Sequence, residues 1–367
     1  MPIYMDRHDV SETVTAENVA QLHQEDLKIQ HKFNCRGLTY WFDDKRKTAF
    51  CLIDAPDENA LREMHNQAHG QVPHRIIEVD AAIVESFLGR IEDPEKAQNT
   101  TLNIINDPAF RIIMVLEFNL LLEKQNEFIH STAKGFRQEI LTIIKSFEGS
   151  TVRQTNNQFL VSFKSVSNAV HAATNIQAAL KIIKAQIKNA NIKLKIGLTA
   201  GVPVTEKQLL FEETIKLAER MCEISKGEII VTAEVEDLYK SENSNEFITG
   251  QNIHTVSPAD EMFLNQLMDY MELNWTDTGL KVEDFCKPLG CSKSQLYRKM
   301  ISALGISPNN FIKEYRLSMA LKLLNKHNRN ISEIAFDTGF NSLAYFSSCF
   351  MKKFGMSPSK YTHLTFA

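Results

Sequence analysis

The chain has 367 residues, of which 43% are hydrophobic and 23% charged. This composition excludes a disordered, collagen-like or low-complexity protein and leaves room for two or three domains, each with its own core. No basic start leads into an apolar run, and no apolar stretch approaches the roughly 20 residues that span a bilayer, so a cytoplasmic protein without a membrane partner is expected. The net charge of −4 conceals an asymmetry: residues 281–367 carry 13 Lys+Arg against 5 Asp+Glu, a formal +8, which leaves −12 on the first 280. A basic end on an acidic body suits a polyanion partner for that end alone.

Within residues 1–91, the β-like runs IYMD, GLTYWF, TAFCLI and RIIEVD alternate with helical stretches near 16–31 and 57–69. The order β-α-β-β-α-β predicts a ferredoxin-like sandwich. Period-two geometry puts Tyr4, Asp6 and His8 on one side of the first strand. His65 and His69 stand four apart on the second helix, a spacing that lets both imidazoles meet one metal ion. His23 on the first helix and Cys51 in the third strand are further donors. The stretches MDRHDV, TAENVAQLHQEDL, LTYWFDDKRKTAFCLIDAP and HNQAHG make this region resemble a family of small ferredoxin-like bacterial proteins that bind nickel as dimers. The resemblance implies a divalent transition metal, nickel in that family; among the donors here the expected ligands are His8, His65 and His69, with Asp6, His23 and Cys51 behind them. Imidazole and carboxylate are equally compatible with nickel, zinc, copper or iron, and a pocket for a small molecule is the rival reading.

The segment 92–108, EDPEKAQNTTLNIINDP, holds two Asp-Pro pairs and polar filler and reads as a linker. Strands and helices alternate again over 109–245. There GSTVRQTNNQFLVSFKSVSNAVHAATNIQAAL, LKIGLTAGVPV and ETIKLAERMCEISKGEIIVT resemble class III nucleotidyl cyclases. Cyclisation needs two carboxylates to hold a metal pair. The resemblance puts Glu117 or Phe118 at the first position and Asn157 at the second, with Lys216 in place of an asparagine and Arg220 on the transition-state arginine. An amide is a poor metal ligand, so a degenerate, catalytically inactive cyclase-like domain is expected. Its expected use is dimerisation, with Arg220 as a surface ion-pair former; a nucleotide effector remains open.

After a second linker, 246–259, residues 260–367 read as helical, and an offset of fifty lays this region on itself. Ser292 falls on Ser342, Leu296 on Phe346, Met300 on Phe350, Leu304 on Phe354, Gly305 on Gly355, Pro308 on Pro358 and Phe311 on Tyr361. Each copy is a helix with a Ser N-cap, one buried stripe and a glycine stop, preceded by a short helix and a glycine turn. This is the plan of two helix-turn-helix units. The polar faces carry Lys293, Ser294, Gln295, Arg298 and Lys299 on the first, and Asn341, Ser342, Ala344, Ser347, Ser348, Lys352 and Lys353 on the second. Small and amide side chains suit base edges, and Lys or Arg suits phosphates.

The stretches YRLSMALKLL and ISEIAFDTGFNSLAYFSSCFMKKFGMSPSKY are similar to the signature of the AraC/XylS family of bacterial transcription regulators. Cys286 and Pro288 depart from that pattern, and Pro288 is expected to shorten the helix before the first recognition helix.

The six cysteines, Cys35, Cys51, Cys222, Cys286, Cys291 and Cys349, lack paired zinc-site spacing and read as free thiols in a reducing compartment. The expected fold class is therefore multidomain α+β plus all-α: a ferredoxin-like domain, a cyclase-like α/β domain and a double helix-turn-helix. The expected function is a homodimeric regulator of double-stranded DNA, not an enzyme, that answers a metal ion or small ligand. The alternatives are a nucleotidyl cyclase, or a metal-binding protein, fused to a DNA-binding tail.

Overall fold

The computed structural model describes residues 1–94, 102–121, 127–155, 157–186, 191–243, 252–325 and 330–366. The protein is a mixed α/β chain with a helical C-terminal domain. It forms two compact units: Met1–Glu117, Ile140–Ile176 and Ile196–Ile253 make up the first, and Phe118–Glu139, Gln177–Lys195 and His254–Ala367 the second.

The N-terminal strands are β1 (Ile3–Asp9), β2 (Arg36–Asp43), β3 (Thr48–Asp54) and β4 (Arg75–Val79), with helices α1 (Ala16–Ile29) and α2 (Glu58–Ala68) between them. They form an antiparallel sheet in the order β2-β3-β1-β4. The helices start where side-chain oxygens of Thr15 and Asp57 accept the first free backbone N–H groups. A further helix, α3 (Ala81–Leu88), was not expected from the sequence; Asp80 caps its start and Gly89 ends it in the left-handed region.

The strands are apolar on both faces because both faces are covered. Tyr4, Tyr40, Phe42, Cys51 and Ile76 join Val19, Ala20, Leu61 and Met64 from α1 and α2 in one core. Met5, Trp41, Phe50, Leu52 and Ile77 point the other way, into a core shared with Ala109, Ile113, Leu160, Leu210 and Phe211. The N-terminal sheet and the middle segment therefore fold around common apolar surface.

Residues 102–108, within the stretch read as a linker, pack against β2. Tyr40 Oη donates to Asn103 O at 2.5 Å and accepts from Ile105 N at 2.8 Å, while Phe42 N donates to Asp107 O at 3.2 Å. Ile105 is buried, and the segment satisfies the Phe42 N–H of the edge strand β2.

The middle segment holds β5 (Arg111–Leu121), α4 (Glu127–Ser146), β6 (Ser150–Gln154), β7 (Gln158–Phe163), α5 (Val166–Gln186), β8 (Asn191–Gly201), α6 (Glu212–Ile224), β9 (Ile229–Thr232), α7 (Ala233–Glu242) and β10 (Ile253–Val256). Its six strands pair in the order β10-β9-β8-β5-β7-β6. The edge strand β10 lies within 246–259, so that stretch is partly sheet rather than linker; residues 246–251 lie outside the described residues.

Arg111 opens β5 from a buried position. Its guanidinium donates to the carbonyls of Phe87, Leu88, Pro108 and Phe110 at 2.7–3.0 Å, which satisfies the end of α3. Burial pulls this guanidinium down to about 10, with the Asp107 charge acting against that.

The C-terminal helices are α8 (Pro258–Asn274), α9 (Lys293–Leu304), α10 (Pro308–Leu324), α11 (Ile331–Asp337), α12 (Leu343–Phe354) and α13 (Pro358–Phe366). No helix among the described residues is long and apolar enough to cross a membrane.

Candidate metal centre and nucleic-acid interface

β1, β3, α1 and α2 bring six metal-capable side chains into two adjoining groups. Asp6, His8 and Cys51 offer ligand atoms within 4.8 Å of one another, and so do Asp26, His65 and His69. The register Met5↔Leu52 sets Asp6 beside Cys51, whose backbone N–H donates to Asp6 Oδ1 at 3.0 Å. His65 joins the groups: its Nε2 lies 2.9 Å from Asp6 Oδ2 and its Nδ1 3.1 Å from Asp26 Oδ1. His69 Nε2 lies 3.1 Å from the same Asp26 oxygen.

The electrostatics follow from burying opposite charges together. Burial opposes the charged form of His65, but hydrogen bonds to Asp26 and Asp6 outweigh it and raise the imidazole to about 10. Burial also pushes Asp6 and Asp26 upward, and their histidine partners overcome it, holding both carboxyls below the usual range. The Cys51 thiol is pushed well up by burial and by the Asp6 and Asp26 charges.

The residues fit a transition-metal ion. His8 Nε2 sits 3.3 Å from Asp6 Oδ1 without a hydrogen-bond partner, which leaves a buried imidazole nitrogen facing the carboxylates and open to a metal ion. Imidazole, thiol and carboxylate donors together suit nickel, copper, zinc or iron better than magnesium or calcium.

Two points differ from the sequence reading. His23 belongs to neither group; it is buried against Tyr40, ring centroids 5.0 Å apart, and burial lowers its pKa. Asp26 was missed. Val19, His23 and Asp26 follow a 4-then-3 spacing on the buried side of α1, so a carboxylate sharing the buried face with Val19 and His23 was the signal available.

In the C-terminal region, α9 and α12 are twins. Ser292 and Ser342 cap their starts, Leu296, Met300 and Leu304 match Phe346, Phe350 and Phe354 as buried stripes, and Gly305 and Gly355 end them in the left-handed region. Pro308 and Pro358 open the helices that follow. Before α12, α11 and the turn at Gly339 complete a helix-turn-helix. Gly339 has φ +80°, and an added Cβ would lie 2.7 Å from Trp275 O and Arg316 Nε. Before α9, only a single 3-10 turn (Val282–Phe285) stands where a short helix was expected. Pro288 lacks an N–H and its ring crowds the preceding turn, which agrees with the shortening read from the sequence.

Residues 4–79 match the family model described as nickel responsive protein SCO4226-like, and residues 285–363 match that of a helix-turn-helix domain. The chain is 39% identical over 107 residues to "Histidine kinase P4" of Formosa agariphila, covering 29% of this chain and 8% of that protein. It is 33% identical over 87 residues to the "HTH-type transcriptional activator RhaS" of Mannheimia succiniciproducens, covering 24% and 30% respectively. The chain thus spans less than a third of either relative's length. A solved transcriptional regulator with an AraC-type DNA-binding domain from Chromobacterium violaceum is 28% identical, with a TM-score of 0.28, covering 29% of this chain and 96% of that one. The chain thus carries an SCO4226-like match at its N-terminal end and a helix-turn-helix domain match at its C-terminal end.

On the helix-turn-helix domain, Lys293, Ser294, Gln295, Arg298, Lys299, Asn341, Ser342, Ala344, Ser348 and Lys352 are exposed and Ser347 is half-buried. Several are engaged within the domain. Gln295 Oε1 accepts from Ser292 N at 2.8 Å as part of the cap, Lys293 Nζ lies 2.5 Å from Glu283 Oε1, and Lys299 Nζ lies 5.3 Å from the Phe263 ring centre. Lys353 turns inward. Its ammonium donates to Glu314 O at 2.9 Å and Ser318 Oγ at 3.1 Å, and lies 2.8 Å from Glu314 Oε2, so it ties α12 to α10. Tyr345, on the first turn of α12, is 58% exposed and was missed because an aromatic residue in an apolar helix reads as core.

In the middle segment, Glu117 pairs in register with Gln158, so Asn157 stands one residue beyond Glu117's partner at the β6–β7 turn. Lys216 is exposed on α6. Arg220 is only 6% exposed and is not the surface ion-pair former expected. α6 lies close over β8 because residue 197 is glycine: a Cβ there would meet Ala218 O and Cys222 N at 2.5 Å.

Proposed function

We propose that this protein is a sequence-specific, homodimeric transcription regulator whose SCO4226-like domain responds to a divalent transition metal, nickel by family likeness. The observation that carries the DNA-binding part is the pair of matched helices α9 and α12, with exposed polar faces on a segment of formal charge +8. Arg298, Lys299 and Lys352 would hold phosphates, while Ser294, Asn341, Ala344 and Ser348 would face base edges. Lys353 is assigned to the domain's own packing instead.

The metal would be held by His8, Asp6 and Cys51 together with His65, His69 and Asp26. It would supply fixed positive charge that replaces the proton on His65 and draws the Cys51 thiol to thiolate. On the other face of β1, Arg7 Nη1 donates to Val204 O at 3.3 Å, and from β4 Arg75 Nη2 donates to Glu206 O at 3.0 Å. These bonds give β1 and β4 a direct hold on the segment that leads into α6. A metal can shift the regulator only by binding one arrangement of these elements more tightly than another.

The strand order β2-β3-β1-β4 supports a ferredoxin-like reading of the first domain, and the six-stranded sheet with its β6–β7 hairpin supports a degenerate cyclase-like reading of the middle one. With Asn157 where a second carboxylate is needed, the middle segment is read as an assembly and coupling domain without turnover.

Footprinting on the DNA upstream of the protein's own gene tests the function. Protected sites should persist at about 0.15 M salt, where nonspecific phosphate attraction is weakened, and should be weakened by Arg298→Ala. Binding without sequence preference under those conditions would overturn the regulator reading.

A further inference from the structure

The turn before α9 holds two cysteines that neither the metal centre nor the DNA-facing surface uses. Cys286 and Cys291 are both half-buried free thiols. The backbone between them forms a Schellman motif: Cys291 N donates to Cys286 O at 3.0 Å, Gly290 N donates to Lys287 O at 3.2 Å, and Gly290 is left-handed at φ 57°. In this motif the residues at the two ends of the longer bond bring their side chains together, normally as an apolar contact. Here both ends are cysteine. The next residue, Ser292, is the N-cap of α9, so whatever fixes this turn also fixes where the first recognition helix begins.

We infer that Cys286 and Cys291 form a reversible intradomain disulfide that locks the turn leading into α9. The oxidant is a low-molecular-weight disulfide. One cysteine thiolate attacks a sulfur of that disulfide, its S–S bond breaks, and a small thiolate leaves. The second cysteine attacks the cysteine sulfur of the mixed disulfide, the Cys286 Sγ–Cys291 Sγ bond forms, and the second small thiolate leaves. Two protein thiols are oxidised, one disulfide is reduced to two thiols, and the protein's two protons pass to the leaving thiolates through solvent. Burial, with Cys286 beside it, pushes the Cys291 thiol up, so the reduced form gains no thiolate stabilisation that would oppose the bond.

Three circumstances make the site suited to switching. The first unit keeps only a 3-10 turn ahead of this motif, so fewer helix bonds hold the turn than in the second unit. The second unit has Phe336 and Asn341 at the positions fifty residues on, so the cysteine pair is confined to the turn of the first unit. The pair also lies five residues apart, so closing it strains no distant part of the chain.

The test uses the full-length protein incubated with glutathione disulfide, then alkylated and digested with trypsin. Because Pro288 follows Lys287, the segment 282–293 stays in one peptide holding both cysteines. The expected result is a peptide lighter by two hydrogens, restored to two alkylated thiols by dithiothreitol. Cys286→Ser and Cys291→Ser should each replace that loss by a single glutathione adduct. In the oxidised wild type, amide exchange over 292–296 should slow relative to the reduced protein. Two alkylated thiols, or stable glutathione adducts, in the oxidised wild-type peptide would overturn the disulfide. Equal exchange in the two forms would overturn the lock.

Discussion

His65 reaches across from α2 to set its Nε2 2.9 Å from Asp6 Oδ2 on β1, so the two carboxylates Asp6 and Asp26 share one buried imidazole. That contact makes the two three-donor groups one array, and it carries the first prediction. Asp26→Asn removes a candidate ligand carboxylate that also orients His65, and should cut metal affinity by at least the roughly 10- to 100-fold expected for an orienting group alone. Metal analysis of protein purified without an affinity tag, beside a His65→Ala/His69→Ala variant, checks this. Equal metal content in wild type and the double variant would remove the site.

Lys353 and Arg298 should separate cleanly. Lys353 is only 17% exposed and bonds Glu314 and Ser318, so Lys353→Ala should lower the thermal midpoint of the domain and leave the salt dependence of DNA binding unchanged. Arg298 is exposed, and Arg298→Ala should reduce the slope of log affinity against log salt by about one phosphate contact. Titrations at several salt concentrations distinguish them; a slope change in Lys353→Ala would show that its ammonium reaches DNA.

Two glycines with the same backbone hand should respond differently. Gly355→Ala meets nothing within 4 Å and should cost only about 1 kcal/mol for its left-handed φ. Gly339→Ala carries the same backbone strain and also drives a Cβ against Trp275 O and Arg316. It should lower the melting temperature further and abolish footprinting. Thermal melts of the two variants side by side check the ranking.

Arg111→Met should destabilise the N-terminal unit by about 2–4 kcal/mol, because four carbonyls, those of the buried Phe87 and Leu88 among them, lose their donor at once. Hydrogen exchange is the appropriate measurement, since a multidomain chain has no single unfolding free energy. Faster exchange over residues 81–90 and 111–116, with the AraC-type domain unaffected, is the expected pattern.

Addition of ATP or GTP with Mn²⁺ should yield no cyclic nucleotide, because Asn157 offers an amide where a metal carboxylate is required. Sustained formation lost in Arg220→Ala would reverse the assignment of the middle segment as non-catalytic.

Much of the molecule was legible in one dimension, and the reason is locality. Helix starts at Thr15, Asp57, Ser292 and Ser342, stops at Gly305 and Gly355, and the fifty-residue repeat all depend on residues a few positions apart. Strand alternation likewise put Asp6 and His8 on one side of β1, and helical spacing put His65 beside His69. Those short-range rules were enough to name the two matched helices α9 and α12 and most of the side chains that the fold gathers near Asp6 and His65.

What the fold alone decided involves partners distant in sequence. Asp26 becomes a ligand candidate because α1 packs against α2, α6 sits close over β8 because residue 197 is glycine, and Lys353 turns inward to Glu314 and Ser318 on α10. The runs LTYWF and TAFCLI announced buried strands, but not that the middle segment supplies the cover on their second face. Apolar burial is non-directional, so the sequence by itself determined that these surfaces must be covered, and the tertiary structure determined by what.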